Sequence, residues 1–376
     1  MSILKNMATY GFVKRRKSQQ KNGYTNVLKR ILKSKPVDNS LFNKEIEQQY
    51  INKWKAIEKN PSLDYFKIYS TFNNKVDLNY VPDYLYEFPI KNILLDQRYS
   101  HYNNDKNLYE KRLIDFSHLF PKVIFRRISG VFYDNNYNYI NNIHKFIESI
   151  SHQIIVIKES TDSAGGKGVK FFNRVDANHL YETKDGYTIN QELSNKKDIV
   201  VQEKLIQSLE MSKINKSSIN SVRVVTYRSV SDNKVHVIQA LLRRGGADSF
   251  LDNWHSGGSI IAIKGDGQIA DFGYNENFEQ VYHGVKNFII PKLNEMYALA
   301  IEIAKSEFYH RQISFDFFLD LEDNVKIIEI NYSVSPVVQI ICGPVFAEYT
   351  DEVIEYCQKN MGYYNFNIPV SLKYFK

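Results

Sequence analysis

Nothing narrows the fold of this 376-residue chain more than ISFDFFLDLEDNVKIIEIN, residues 313–331. Apolar residues alternate up to an acidic turn and resume beyond it, the pattern of two antiparallel strands and a tight connection. With a four-residue turn over 321–324, Asp320 pairs with Val325, and counting back along both arms sets Asp316 opposite Glu329. Asn331 then shares a face with Glu329. Like charges directly opposite destabilise a sheet unless a cation lies between them. Two carboxylates and an amide are hard oxygen donors of the kind magnesium takes, with phosphate oxygens completing the octahedron. Asp320, Glu322 and Asp323 are turn residues by the same count.

A phosphate-binding segment to match lies upstream in QIIVIKESTDSAGGKGVKFF, residues 153–172. A β-branched run, 154–158, breaks into a small, glycine-rich loop and resumes as a strand over 169–172. Gly165, Gly166 and Gly168 lack Cβ, so backbone N–H groups there could close over an anion. Lys167 and the strand-borne Lys158 could neutralise it. The loop is not a Walker A motif, because Gly168 follows Lys167 where Ser or Thr is required, and the GxGxxG spacing is missing. A mobile hairpin with a solvated lysine fits the same letters, so the loop alone leaves both readings open.

The rest of the chain reads as mixed helix and strand. The spacing of Ile46, Tyr50, Trp54 and Ile57 predicts one helix over 41–69 with Pro61 as its stop; further helices are expected near 104–116, 141–150, 177–181 and 291–306. Two short strands are expected around Ser129-Gly130. IVVQEKLIQ, 199–207, is a buried strand with a polar end, where backbone groups of Glu203 and Leu205 could pair with a base and Glu210 could accept from ribose hydroxyls. Arg223 in the strand 218–228 and Arg243 near the end of 234–246 sit in apolar runs. A buried arginine needs an anionic partner, although an edge strand with a solvated arginine is the alternative.

At 44.0 kDa and 43% hydrophobic residues the chain can bury a full core in two or three subdomains. Cys342 and Cys357 are too few for a disulfide framework and lack zinc spacing, which suits a reducing cytoplasm. No apolar run approaches the roughly 18 residues of a membrane span, and the N-terminus has no signal-like apolar region. Ten cations (Lys5, Lys14, Arg15, Arg16, Lys17, Lys21, Lys29, Arg30, Lys33 and Lys35) precede the first acid, Asp38. That head suits a partner or peripheral contact with an anionic membrane through residues 1–35, or simply a solvated helix. Nucleic acid is not expected, since no recognition motif accompanies the charge.

A lysine-ended strand, a glycine-rich flap, a QEKL hinge strand, a buried arginine and a D…E-x-N hairpin, in that order, resemble the ATP-grasp superfamily. The blocks DKNLY, RISGVFYD, IKESTDSAGGKGV, VQEKL, SINSVRVVT, LLRRGG…DNWHSGG and IIEIN, over about residues 104–345, resemble its branch associated with sugar transfer in polysaccharide synthesis. The resemblance implies an α+β fold of two ATP-grasp subdomains clasping ATP, 101–205 and 206–350, after a basic, partly helical region 1–100 and before a tail 351–376. It implies that Lys158 contacts the α and β phosphates, that Lys106 upstream faces the nucleotide, and that Ser163, Gly165, Gly166, Lys167 and Gly168 form the flap. Gln202, Glu203 and Leu205 would form the adenine hinge, Glu210 the ribose contact, and Asp316, Glu329 and Asn331 the magnesium ligands. Arg223 and Arg243 would face the γ-phosphate and an acyl phosphate. Phe315 stands where this branch often has Trp, and Ser221 where Thr is common.

The activity so implied is an ATP- and Mg²⁺-dependent carboxylate–amine ligase. It would join an amino acid or other amine to a sugar carboxylate, with glycosyltransferase or polysaccharide-assembly proteins as partners. The same scaffold could instead phosphorylate a sugar hydroxyl, or bind nucleotide without turnover and anchor a glycosyltransferase. Changing Asp316 to Asn is expected to abolish turnover and spare the fold.

Overall fold

Alternation along the chain resolves into two antiparallel sheets. The computed structural model describes residue 23 and residues 25–161, 168–175, 181–195, 197–246, 254 and 257–361. The first sheet holds β1 (Val123–Ile128), β2 (Val131–Asp134), β3 (Ile154–Glu159), β4 (Lys170–Arg174), β5 (Tyr181–Glu182) and β6 (Ile199–Glu203), in the order β2-β1-β6-β3-β4-β5. The second holds β7 (Ser221–Arg228), β8 (Val235–Arg244), β9 (Ser259–Ile263), β10 (Ile269–Tyr274), β11 (Gln280–Tyr282), β12 (Gln312–Leu319) and β13 (Val325–Asn331), in the order β11-β10-β9-β8-β7-β12-β13. Ser129 and Gly130 turn β1 into β2 with φ of 51° and 82°, the left-handed pair that a two-residue hairpin of matching twist requires.

Each sheet is sorted by its pleat. In the first, Phe125, Ile155, Ile157, Phe172, Ile199 and Val201 face the helices Ile143–Ser149 and Ile189–Ser194 and form one core. Lys158 and Gln202 fall on the opposite face. In the second, Val222, Val224, Leu242, Ile261, Phe315 and Phe317 pack under the helix Leu293–Ser306. Its other face carries Val225, Tyr227, Leu241, Ile260 and Tyr274, and over these lie the helices Lys44–Trp54 and Leu63–Asn73, the segment 80–95, and residues 334–361 including the helix Thr350–Asn360. Chain segments before the first sheet and after β13 thus share a single core with the second sheet.

The single helix expected over 41–69 is two. The first ends at Trp54. The second starts at Leu63 behind Ser62, whose hydroxyl accepts from the Asp64 N–H. Pro61 prepares that start rather than ending a long helix, since it disfavours helical backbone at Asn60 and Ser62 supplies a cap. The stretch 104–116 is also broken, into 3-10 turns at Lys106–Leu108 and Ile114–Leu119 around the short helix Tyr109–Arg112. Asp105 starts the first of these by accepting from the Asn107 N–H. The helix expected over 177–181 lies outside the described residues up to position 180, and Tyr181 opens β5.

Two buried details carry measurable consequences. A Cβ at Gly273 would stand 2.3 Å from the Ile260 carbonyl oxygen and 2.7 Å from Ile261 Cγ1, where the β9–β10 register shifts. Gly273→Ala is therefore expected to lower stability by about 1–3 kcal/mol in urea unfolding, the cost of overpacking a rigid site. Asp83 is fully buried and accepts from the Tyr69 hydroxyl at 2.5 Å. Burial pushes its carboxyl up to about 8 despite that hydrogen bond. The folded state then holds a proton that the unfolded chain releases near 3.8, so this contribution is complete below pH 3.8 and is lost as pH rises towards 8. Asp83→Asn is expected to remove on the order of a few kcal/mol of that decline, read as unfolding midpoints at pH 5 and pH 8. Among the described residues no helix is long and apolar enough to cross a membrane.

Candidate functional site

The expected opposition of Asp316 and Glu329 is present, reached by a different path. The loop between β12 and β13 has five residues, with Leu319 rather than Asp320 opposite Val325. That register alone would set Asp316 against Ile328. A bulge between Ile327 and Glu329 shifts the count by one, so Asp316 faces Glu329 and Ser314 faces Asn331. The bulge aims Glu329 onto the same face as Asp316. Asp320 closes the longer loop by accepting from the Glu322 and Asn324 N–H groups.

Asp316 is 1% exposed and surrounded by donors. Arg223 on β7 grips it with two bonds, Nε to Oδ1 at 2.6 Å and Nη2 to Oδ2 at 2.7 Å; Arg243 on β8 reaches Oδ2 at 2.7 Å, and Asn331 Nδ2 lies 3.4 Å from the same oxygen. The register explains the meeting: Asp316 lies opposite Arg223, and Arg243 opposite Ser221. Burial would raise the Asp316 carboxyl, but the charges and hydrogen bonds of the two guanidiniums outweigh it and hold it below the ordinary value. Both arginines therefore have the buried anionic partner that their apolar strands demanded.

Glu329 is paired as well. Lys106 Nζ lies 2.9 Å from its Oε1, and the Lys106 N–H donates to the Ser160 carbonyl just past β3. One residue thus joins the root of the glycine loop on the first sheet to the carboxylate hairpin of the second. Tyr109, in the next turn, is buried and donates its hydroxyl to the Ile330 carbonyl at 3.1 Å, between Glu329 and Asn331. Tyr109 lies in the block DKNLY, but its contact crosses 221 residues, with no short-range pattern to announce it. Arg112 extends the brace, donating to the Tyr332 hydroxyl at 2.8 Å and pairing with Glu307.

The remaining expected residues separate into three groups. Lys158 is buried on β3, and Gln202 shares its face. Gly168 has φ of 81°, and a Cβ there would press on the Glu159 side chain at 3.2 Å, so this end of the loop requires glycine. Ser163, Gly165, Gly166 and Lys167 lie outside the described residues. At the far end of β6 the Glu203 N–H donates to the Lys122 carbonyl at 3.1 Å as the β1 end closes on β6, so a base pairing here would meet other backbone groups of the segment. Leu205 lies in the half-buried connector beyond β6, which runs on to Ser208, whose N–H donates to the Leu319 carbonyl at the other end of β12. Glu210 is half-exposed and pairs with Lys213 on its own helical turn.

The donor chemistry fits magnesium: Asp316, Glu329 and Asn331 offer two carboxylates and an amide on one surface, with phosphate oxygens and water to complete the shell. Among the described residues there is no cluster of three or more His, Cys, Asp and Glu side chains, so no all-protein metal cage competes with this set. The arrangement can bind a polyphosphate between the loop root and the hairpin and stabilise charge on a transferred phosphoryl group.

A model of the sugar-transfer associated ATP-grasp family matches residues 92–354. Among solved structures the chain is similar to the D-Ala:D-Ser ligase VanG of Enterococcus faecalis, at 12% identity over 67% of this chain and 61% of that one with TM-score 0.41. It is similar to D-alanyl-alanine synthetase A of Vibrio cholerae at 12% identity, with coverages of 69% and 65% and TM-score 0.39. A third likeness is to N5-carboxyaminoimidazole synthetase of Staphylococcus aureus complexed with ADP, at 12% identity, coverages of 62% and 45% and TM-score 0.36. The chain spans less than two thirds of each of these structures. No curated protein matches it.

Proposed function

Because this chain belongs to the sugar-transfer associated ATP-grasp family, we propose that it is an ATP- and magnesium-dependent carboxylate–amine ligase acting on a sugar carboxylate. The observation that carries the reading is the pair Asp316 and Glu329, opposed on one face and framed by Arg223, Arg243 and Lys106. Opposed carboxylates gain nothing for a sheet by themselves, and three cations around them suit a site through which a polyphosphate passes.

In the proposed reaction an acceptor carboxylate oxygen attacks the γ-phosphorus of ATP, the bond to the β-phosphate oxygen breaks, and ADP leaves. The amine then attacks the acyl phosphate carbonyl, inorganic phosphate departs, and the amine proton is lost to solvent. Bound magnesium, held by Asp316, Glu329 and Asn331, would supply charge screening on the phosphates. Lys158 and Lys106 bind and orient the phosphate chain, and Arg223 and Arg243 meet charge developing on the transferred group, which is most of what such a reaction asks of a protein. On the family resemblance, Ser163 to Gly168 would serve as a flap against water that hydrolyses the acyl phosphate. Glycosyltransferase or polysaccharide-assembly partners belong to the same proposal.

The test is ATP turnover with Mg²⁺ against a panel of uronic-acid sugars, with and without pooled amino acids, plus hydroxylamine to trap acyl phosphate. The expected result is hydroxamate from a uronic acid. ADP release with a neutral sugar and no hydroxamate would replace ligase by kinase, and nucleotide binding without turnover on any acceptor would leave a binding module.

A further inference from the structure

The two carboxylates that would hold magnesium are each engaged by a cation of the chain itself. Arg223 and Arg243 take both oxygens of Asp316, at 2.6–2.7 Å, and Lys106 takes Oε1 of Glu329 at 2.9 Å. Two of the pairs are largely out of water: side-chain exposure is 19% for Arg223, 13% for Arg243 and 1% for Asp316. Charges so placed interact more strongly than in bulk solvent and are less screened by salt. A free divalent cation approaching this cluster meets ligands already engaged. A nucleotide polyphosphate brings oxygens of its own that can take over the guanidinium and ammonium groups.

From this geometry we infer that Arg223, Arg243 and Lys106 are internal counter-charges that close the carboxylate hairpin to free metal and open it when a polyphosphate binds. The inference rests on the ATP-grasp reading of the site and adds an order to it: the divalent cation enters with or after the nucleotide. Lys106 is best placed to report the exchange, because its backbone is tied to Ser160 at the glycine-loop root while its ammonium rests on Glu329. Its movement off Glu329 would release a metal ligand and present a cation at the loop.

The experiment uses the full chain and Mn²⁺ as the probe, with bound Mn²⁺ read by electron paramagnetic resonance and nucleotide binding read separately with a fluorescent, non-hydrolysable ATP analogue. The unliganded wild type is expected to bind Mn²⁺ weakly. The analogue should tighten Mn²⁺ binding between about 5- and 150-fold, and Mn²⁺ should tighten the analogue by the same factor, since such coupling is reciprocal. Lys106→Met should gain at least about fivefold in Mn²⁺ affinity without nucleotide, the lower end of that range, whereas Lys106→Arg should gain nothing. Arg243→Gln gives an independent reading from the other carboxylate. If the analogue binds but Lys106→Met and wild type take up Mn²⁺ equally, the counter-charge idea is overturned while the nucleotide reading stands. If the analogue does not bind at all, the nucleotide reading fails first.

Discussion

Asp316→Asn is expected to abolish ATP turnover and also to destabilise the protein by about 3–5 kcal/mol, the cost of breaking a buried ion pair from one side. As a metal ligand alone, Asp316 could be changed with the fold spared, as its sequence context suggests. The structure gives the carboxylate a second role, as the buried counter-ion of Arg223 and Arg243. An asparagine would keep an acceptor for one guanidinium and offer no charge to either. Two measurements separate the effects: urea unfolding should show the loss of stability, and turnover by the fraction still folded should remain absent. Full activity with unchanged stability would sink the assignment of Asp316 to the site.

Lys158→Met should lower kcat/KM for ATP by about 10²–10³-fold, the loss seen when one preorganised donor to developing charge is removed. The residue is 8% exposed on β3, opposite Val200, on the face turned away from the helices of its own lobe. Methionine preserves most of the volume and removes the charge, so kcat/KM is read on the fraction that urea unfolding shows to be folded. A variant with normal kcat/KM would show that Lys158 serves packing rather than phosphate. A variant that binds the ATP analogue as tightly as wild type yet turns over slowly would place the lysine's contribution in the transition state.

What could be read from the letters depended on range. Strand alternation and the Ser129-Gly130 turn are local, and β1, β2, β3, β6, β7, β8, β12 and β13 fall where they were expected. The Asp316–Glu329 pair was legible because period-two counting survives when a longer loop and a bulge shift the register in opposite senses. Neither compensating feature was visible, since a bulge depends on the packing of Ile327 and Ile330 under the helix Leu293–Ser306, not on the letters of the hairpin. The two-helix break at Trp54 needed the cap at Ser62 to be weighed against the periodicity. Tyr109 on Ile330 and Lys106 on Glu329 join residues more than 200 positions apart, and no window of the sequence contains both partners.

The shared core beneath the second sheet also sets the order in which this protein can assemble. Residues 63–95 precede both sheets in the chain, yet Phe72 and Tyr86 find partners at Tyr274 and Gln312, about 200 residues later. The first sheet lies between, with a core drawn entirely from residues 125–201, so it can condense while the rest is still being synthesised. The face of the second sheet that carries Val225, Tyr227 and Leu241 is covered only when the helix Thr350–Asn360 arrives. Until those strands are made, the side of this segment that packs on the second sheet stays uncovered, the interval in which a chaperone has most to offer.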